Sequence, residues 1–509
     1  MNIPCTISTT AQCLSALLIV AVLLGSGSTG AGATSLAQST GGQESSSSTL
    51  SQDTYRLIGW NDLGMHCLDD RYEVFSILPP YNTVWAQVVR EPAGGGAPQV
   101  VTSGVTVAYS FEDNSESASK VNFWTHAQQL FNLPQPLPAN VGLTGNGLAG
   151  DMDAASTHFE VVGTPLTPYN DSTPQTRQPY QLAHLVARRS GTGEVLAETT
   201  IVAPVSDEMR CDNCHYDGGV GGVSTGDYRL NILTYHDDES GTNLVGSQPV
   251  LCANCHASPA LGTTGQPGVK YLSHSMHSKH AAEDGMPLTT VGANWLRATG
   301  TLGAPPRNPE DGTEDCYQCH PGVETACLRD TMSSSGMWCT DCHGDMRAVG
   351  SEDRMPWVDE PRCGDTACHG PQYAENPGTL YRNSTGHGGL YCEACHNSTH
   401  AILPSREVRD NSQTIALQGY AGTITECTVC HGLSVPTGAG PHGLACALSA
   451  DVDSDGDVDV NDILMNAAAW QVTPVNPVYD QNRDGLVDVL DIMLVARSFG
   501  AVCQTVSGA

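Results

Sequence analysis

Fourteen of the chain's twenty cysteines fall into seven pairs, and a histidine follows each pair at once. The segments read CDNCH (211–215), CANCH (252–256), CYQCH (316–320), CTDCH (339–343), CGDTACH (363–369), CEACH (392–396) and CTVCH (427–431). Six share one spacing; the fifth carries two extra residues. Closely paired cysteines also serve as zinc knuckles, and exported chains use cysteines for disulfides. Neither arrangement requires histidine directly after the second thiol. With only 18 histidines in 509 residues, seven hits in seven pairs is a chemical requirement rather than an accident of composition. A fold carrying this series must build seven Cys/Cys/His centres, about one per 33 residues of 211–442.

C-x-x-C-H is the attachment signature of c-type haem. Two thiols add across the haem vinyl groups, and the adjacent imidazole reaches the iron. The expected sets are Cys211, Cys214, His215; Cys252, Cys255, His256; Cys316, Cys319, His320; Cys339, Cys342, His343; Cys363, Cys368, His369; Cys392, Cys395, His396; and Cys427, Cys430, His431. The longer fifth motif reads either as a variant attachment site or as a disulfide beside an unrelated histidine. Residues 205–445 resemble a multihaem c-type cytochrome. Within them, CYQCHPGVETACLRDTMSSSGMWCTDCHGDM and PWVDEPRCGDTACHG are similar to segments of large bacterial electron-transfer cytochromes. The resemblance implies seven covalent haem c groups, loaded outside the cytoplasm. The composition agrees: 54 glycines, 30 prolines and 6 phenylalanines leave little for an ordinary core, so short helices and loops would wrap porphyrins instead.

What fills the sixth iron position separates carriers, which close it with His or Met, from catalysts, which leave it open. Seven histidines lie in the haem region outside the motifs: His236, His274, His277, His280, His387, His400 and His442. Seven motifs thus face seven distal candidates. Three of them sit in YLSHSMHSKHAA (271–282) with no thiolate or carboxylate placed for a separate zinc site, so each is expected to serve a different haem. Met276, Met286, Met332, Met337 and Met346 are possible substitutes, though methionine more often packs than ligates. No motif ends in Lys in place of His.

At the C-terminus, DVDSDGDVDVND (451–462) and DQNRDGLVDVLD (480–491) fit a 12-residue calcium loop, with oxygen donors at positions 1, 3, 5 and 12 and glycine at position 6. The expected ligands are Asp451, Asp453, Asp455, the Asp457 carbonyl and Asp462, then Asp480, Asn482, Asp484, the Leu486 carbonyl and Asp491. Each loop precedes an apolar helical pattern and neither follows an entering helix. This duplicated loop-then-helix unit resembles a type I dockerin, which implies two Ca2+ ions. Val460/Asn461 and Val489/Leu490 stand where Ser/Thr-type pairs would meet a cohesin, so a general assembly or stabilising role is equally open. Of the four remaining cysteines outside the first 40 residues, Cys446 and Cys503 bracket this module and are placed for a disulfide, leaving Cys67 and Cys327.

Residues 53–205 hold no haem motif. Runs such as TVWAQVV (83–89), GVTVAYSF (104–111) and GEVLAETTIVAPV (193–205), separated by Gly/Pro/Asn turns, predict strands. GWNDLGMHCLDD (59–70) opens this region, where His66 and Cys67 read as metal ligands or as a buried pair. An 11-residue apolar run, Leu14–Leu24, with small-residue cleavage options after it, predicts a signal peptide, although no Lys or Arg precedes Arg56. The formal charge of −32 argues against nucleic acid and anionic lipid, and no segment suits an integral membrane protein. The expected fold is multidomain: signal peptide (1–37), flexible leader (38–52), all-β sandwich-like domain (53–205), haem-packed cytochrome domain with short helices and little regular structure (206–445), and a small α dockerin-like module (446–509). The function implied is an exported cytochrome, periplasmic or at the cell surface, relaying electrons between other redox proteins or to an extracytoplasmic acceptor. The alternatives are a multihaem enzyme with one open haem acting on a small nitrogen or sulfur compound, and a redox component docked through its C-terminal module.

Overall fold

The computed structural model describes residues 52–93, 96–282, 316–322, 324–438, 440–443, 446 and 448–504. The expected signal peptide, nearly all of the leader, and Met286 lie outside them.

Residues 54–206 are β-rich, as their alternating runs predict. Its strands are β1 (Thr54–Asn61), β2 (His66–Cys67), β3 (Phe75–Ser76), β4 (Asn82–Glu91), β5 (Gln99–Val101), β6 (Val105–Phe111), β7 (Ala149–Asp151), β8 (Asp153–Ala154), β9 (Phe159–Thr164), β10 (Tyr180–Arg189) and β11 (Val195–Ser206). All but β3 form two five-stranded sheets, β1-β4-β9-β8 with β5 on β4, and β2-β11-β10-β6-β7. In β6 the inward residues Val105, Val107, Tyr109 and Phe111 are buried while Thr106 is exposed, the period of two that a half-buried strand requires. One apolar core draws on both sheets, with Leu57, Val84, Ala86 and Val88 from the first and Val107, Leu185, Ala187 and Ile201 from the second. The sheets come so close at Gly59 that a Cβ there would stand 2.4 Å from Leu185 Cδ1.

From residue 206 the chain turns to short helices and loops. The helices of more than one or two turns are α1 (Phe123–Leu130) within the β region, then α2 (Tyr228–Ser240), α3 (Leu272–Ala282), α4 (Ser412–Gln418), α5 (Val460–Ala468) and α6 (Val489–Arg497). Two of the small apolar clusters that involve 206–430 lean on the β region: Leu233 on Val74 and Phe75, Ala394 on Ile58, Trp60 and Val89. Polar ties do the rest. Asp69, buried, accepts from Ser76 Oγ (2.9 Å), Ile77 N (2.8 Å) and Leu78 N (3.0 Å), and faces Arg229 of α2 at 3.7 Å. Parallel pairing of Val250–Leu251 (β12) with β3 sets the chain just before the second motif, and β2 runs parallel to the end of β11. At the far end, Ser434–Pro436 (β13), just after the last motif, pairs in parallel with Val502–Gln504 (β14).

Candidate functional site

Each motif is a tight turn that puts both thiols and the imidazole at one place. The histidine N–H closes on the first cysteine's carbonyl at 3.0 Å in His215, His256 and His431, and at 2.9 Å in His320. The longer fifth motif makes the same closure: His369 N donates to Cys363 O at 3.2 Å, its extra residues looped out. Motifs also meet one another. Burial comes first among the causes that push these thiols up, and a cysteine of another motif adds to it: Cys211 for Cys252, Cys368 for Cys342, Cys392 for Cys363, Cys430 for Cys395.

Six of the seven distal candidates lie against a motif histidine. Ring centroids are separated by 6.4 Å for His215 and His280, 6.3 Å for His256 and His236, and 6.1 Å for His320 and His277. The other three are His343 and His400 at 6.0 Å, His396 and His442 at 6.0 Å, and His431 and His387 at 5.9 Å. A metal–imidazole bond of about 2 Å, plus roughly 1.2 Å from ring nitrogen to ring centre, places the centroids of two trans imidazoles about 6.3 Å apart. The spacing therefore fits one metal between each pair.

The second ring nitrogens support the same use. The Nδ1–H of His256 donates to Lys270 O (3.0 Å), that of His277 to Ser273 O (2.7 Å) and that of His280 to Met276 O (2.6 Å). In α2, His236 Nδ1 meets Thr242 Oγ1 at 3.0 Å, and that hydroxyl donates to Asp237 at 2.6 Å, so the ring is the donor. Such bonds fix the tautomer whose Nε2 carries the lone pair a metal needs. Burial, followed by the neighbouring imidazoles, pushes His320, His396 and His400 down to about 4 and keeps them in the neutral form that ligates. His400 and His442 hold left-handed backbone, at φ 68° and 56°. Sequence reasoning did not single out these supports; the signal was slight, an i−4 carbonyl within a helix or a hydroxyl six residues away.

His274 departs from the expectation for α3. It is 3% exposed, its Nε2 donates to Arg354 O at 2.6 Å, and Tyr271 packs on it at 5.3 Å. No ring contact joins it to a motif histidine among the described residues. Correspondingly, His369 meets Tyr373 at 6.4 Å rather than a second imidazole. The physical reason lies in helix geometry: residues three apart step back about 60° around the axis, so His274 and His280 diverge by about 120°. His277 and His280 share the side facing the motifs; His274 is turned to the Arg354 backbone.

The opening stretch GWNDLGMHCLDD proves to be a support. A Cβ on Gly64 would lie 2.1 Å from Thr399 O and 2.8 Å from His400 Cβ, so glycine admits the His400 turn. His66 is buried and bonded to Asp62 at 2.9 Å. Cys67 and Cys327 are unbridged, although burial and then Cys327 push the Cys67 thiol up.

The two C-terminal loops share one hydrogen-bond pattern. Asp462 Oδ1 accepts from Val452 N (2.6 Å) and Asp453 N (3.2 Å), and Asp491 Oδ1 from Gln481 N (2.7 Å) and Asn482 N (3.1 Å). Asp451 and Asp480 each accept from the loop glycine at 2.9 Å. Asp451, Asp453 and Asp462 bring one oxygen apiece within 4.8 Å of one another, a hard-oxygen donor set of the kind calcium takes. Desolvation, then Asp455 and other loop carboxylates, raise Asp453 and Asp457. Cys446 and Cys503 are joined, closing the ends.

No protein-family model matches this chain, and no curated protein matches it. Among the described residues no helix is long and apolar enough to cross a membrane.

Proposed function

We propose that the protein is a heptahaem c-type cytochrome that relays electrons between redox partners outside the cytoplasm. The six histidine pairs at 5.9–6.4 Å carry this reading, because each joins a motif histidine to one from outside the motifs. Haem iron so held supplies reversible one-electron transfer. The chain's own contribution would be positional: the motif cysteines would anchor the groups, the six imidazole pairs would hold six of the irons, and carbonyls and hydroxyls lock the rings. Adjacent motif cysteines, and one helix serving two motif histidines, set the centres in series. The thin apolar clusters of 206–430 fit a region whose core is completed by bound groups.

The C-terminal loops are proposed to hold two Ca2+ ions, with assembly onto a cohesin-like or other partner as the associated role. Purified protein tests the main reading: intact mass and alkaline pyridine spectra should both give seven haems per chain. Zinc in place of iron would sink it.

A further inference from the structure

Among the described residues no second imidazole faces His369, and we infer that the centre at Cys363, Cys368 and His369 is unlike the other six: its iron takes its sixth ligand from outside the chain, as a small Lewis-basic molecule, a diatomic gas or compact inorganic anion. The inference rests on the haem reading above and on what surrounds His369. Every other motif histidine faces a second imidazole at 5.9–6.4 Å. The two histidines that could serve His369 are committed elsewhere. His442 faces His396 at 6.0 Å, and its backbone carbonyl holds Gln372 Nε2 at 2.9 Å. His274 spends Nε2 on the Arg354 carbonyl and is 3% exposed.

Tyr373 is the ring that His369 does meet, at 6.4 Å, and it reaches on to His442 at 4.9 Å. Tyrosine can ligate haem iron, but through an oxygen nearly 3 Å from its ring centre, so a centroid separation of about 7 Å or more is expected across the metal. Tyr373 therefore stands beside the centre, as a polar neighbour for an incoming ligand. The position matters because the fifth motif lies within the series: Cys368 neighbours Cys342, and Cys363 neighbours Cys392. A ligand bound there would gate or tap the relay midway.

Haem content comes first in the test, since fewer than seven haems in the wild type would overturn the attachment reading itself. With seven present, electron paramagnetic resonance of the oxidised protein should show one high-spin iron in seven, and the reduced protein should bind one carbon monoxide per chain. Cys363→Ser/Cys368→Ser should carry six haems and lose carbon monoxide binding. His274→Gln and Tyr373→Phe should each leave the single high-spin signal unchanged, which keeps the test decisive if the cysteine variant is not exported. A wholly low-spin spectrum, carbon monoxide binding retained with six haems, or a second high-spin iron in His274→Gln would overturn the proposal. So would a changed high-spin signal in Tyr373→Phe.

Discussion

Arg329 shows how single residues hold a chain so poor in large apolar side chains. It is fully buried, pairs with Asp410 through Nε at 2.6 Å and a second nitrogen at 3.2 Å, and donates to Gly64 O at 2.6 Å. One guanidinium thus ties the turn before β2 to two loops of residues 206–430. Removing one partner of a buried pair leaves the other charge uncompensated, at a cost of about 3–5 kcal/mol. Asp410→Asn should lose that much in urea unfolding, and an unchanged midpoint would contradict the role given to this pair. Gly64→Ala should also act locally, pushing the His400 turn away; on the haem reading proposed above, one low-spin iron, that at His343, should turn high-spin at unchanged haem content. Asp171 offers a pH readout on the surface. Partial desolvation opposes its charge, but Lys120 at 2.7 Å and the Ser115 N–H and hydroxyl outweigh it and hold the carboxyl down at about 2. An unfolded aspartate titrates near 3.9, so the folded state binds this proton more weakly; the contact's contribution is complete above about pH 4 and drains away as pH falls towards about 2. The stability gap between wild type and Asp171→Asn should shrink over that window.

At the scale of elements, α3 carries the sharpest division of labour. His277 faces His320 and His280 faces His215, three residues apart on one helix. On the haem reading proposed above, replacing either by alanine should add one high-spin iron, and replacing both should add two, because the sites are separate. A single variant that alters both signals would mean the helix, rather than the imidazole, had been lost. The same helix shows what a sequence can convey. The motifs stand out because the covalent attachment we propose for them would demand contiguous residues, and the strands were legible because half-burial imposes a period of two. The fifth motif is picked out by its place in the series, and its His369–Cys363 closure matches that of the shorter motifs. Distal partners were not legible in the same way. His400 reaches His343 across 57 residues, a relation that depends on packing around Gly64 and Arg329. A count of seven candidates for seven motifs carries no information about which way a helix is turned, and His274 is where that count and the geometry part. The strand order β1-β4-β9-β8 likewise depends on long connections that no local pattern encodes.

Across the whole molecule, the C-terminal loops are joined to the last motif. β14 pairs with β13 three residues beyond His431, Arg483 stacks on Tyr420 at 4.2 Å, and Arg497 donates to Leu417 O at 3.2 Å. Val435 shares an apolar cluster with Leu448, Val452, Val458 and Val495, so the loops' folding and that of the last motif are mechanically linked. The first loop crowds six aspartates into twelve residues of a chain whose formal charge is already −32. With the proposed cation bound, four of those carboxylates (Asp451, Asp453, Asp455 and Asp462) are its ligands; with it chelated, the six repel across a few ångströms, well inside the Debye length of about 8 Å at physiological ionic strength. The Cys446–Cys503 bridge limits how far the ends can part but does not offset repulsion within the loops. Chelation should therefore lower the thermal midpoint, calcium should restore it where magnesium does so poorly, and Asp451→Asn/Asp480→Asn should melt low and respond to neither. Added sodium chloride should recover part of the loss by screening, which a purely geometric role for the cation would not allow. Because β13 follows the last motif directly, the absorption of the His431 centre should shift on chelation while the His215 centre stays unchanged. Identical melting curves with and without chelator would remove calcium from the description of this module.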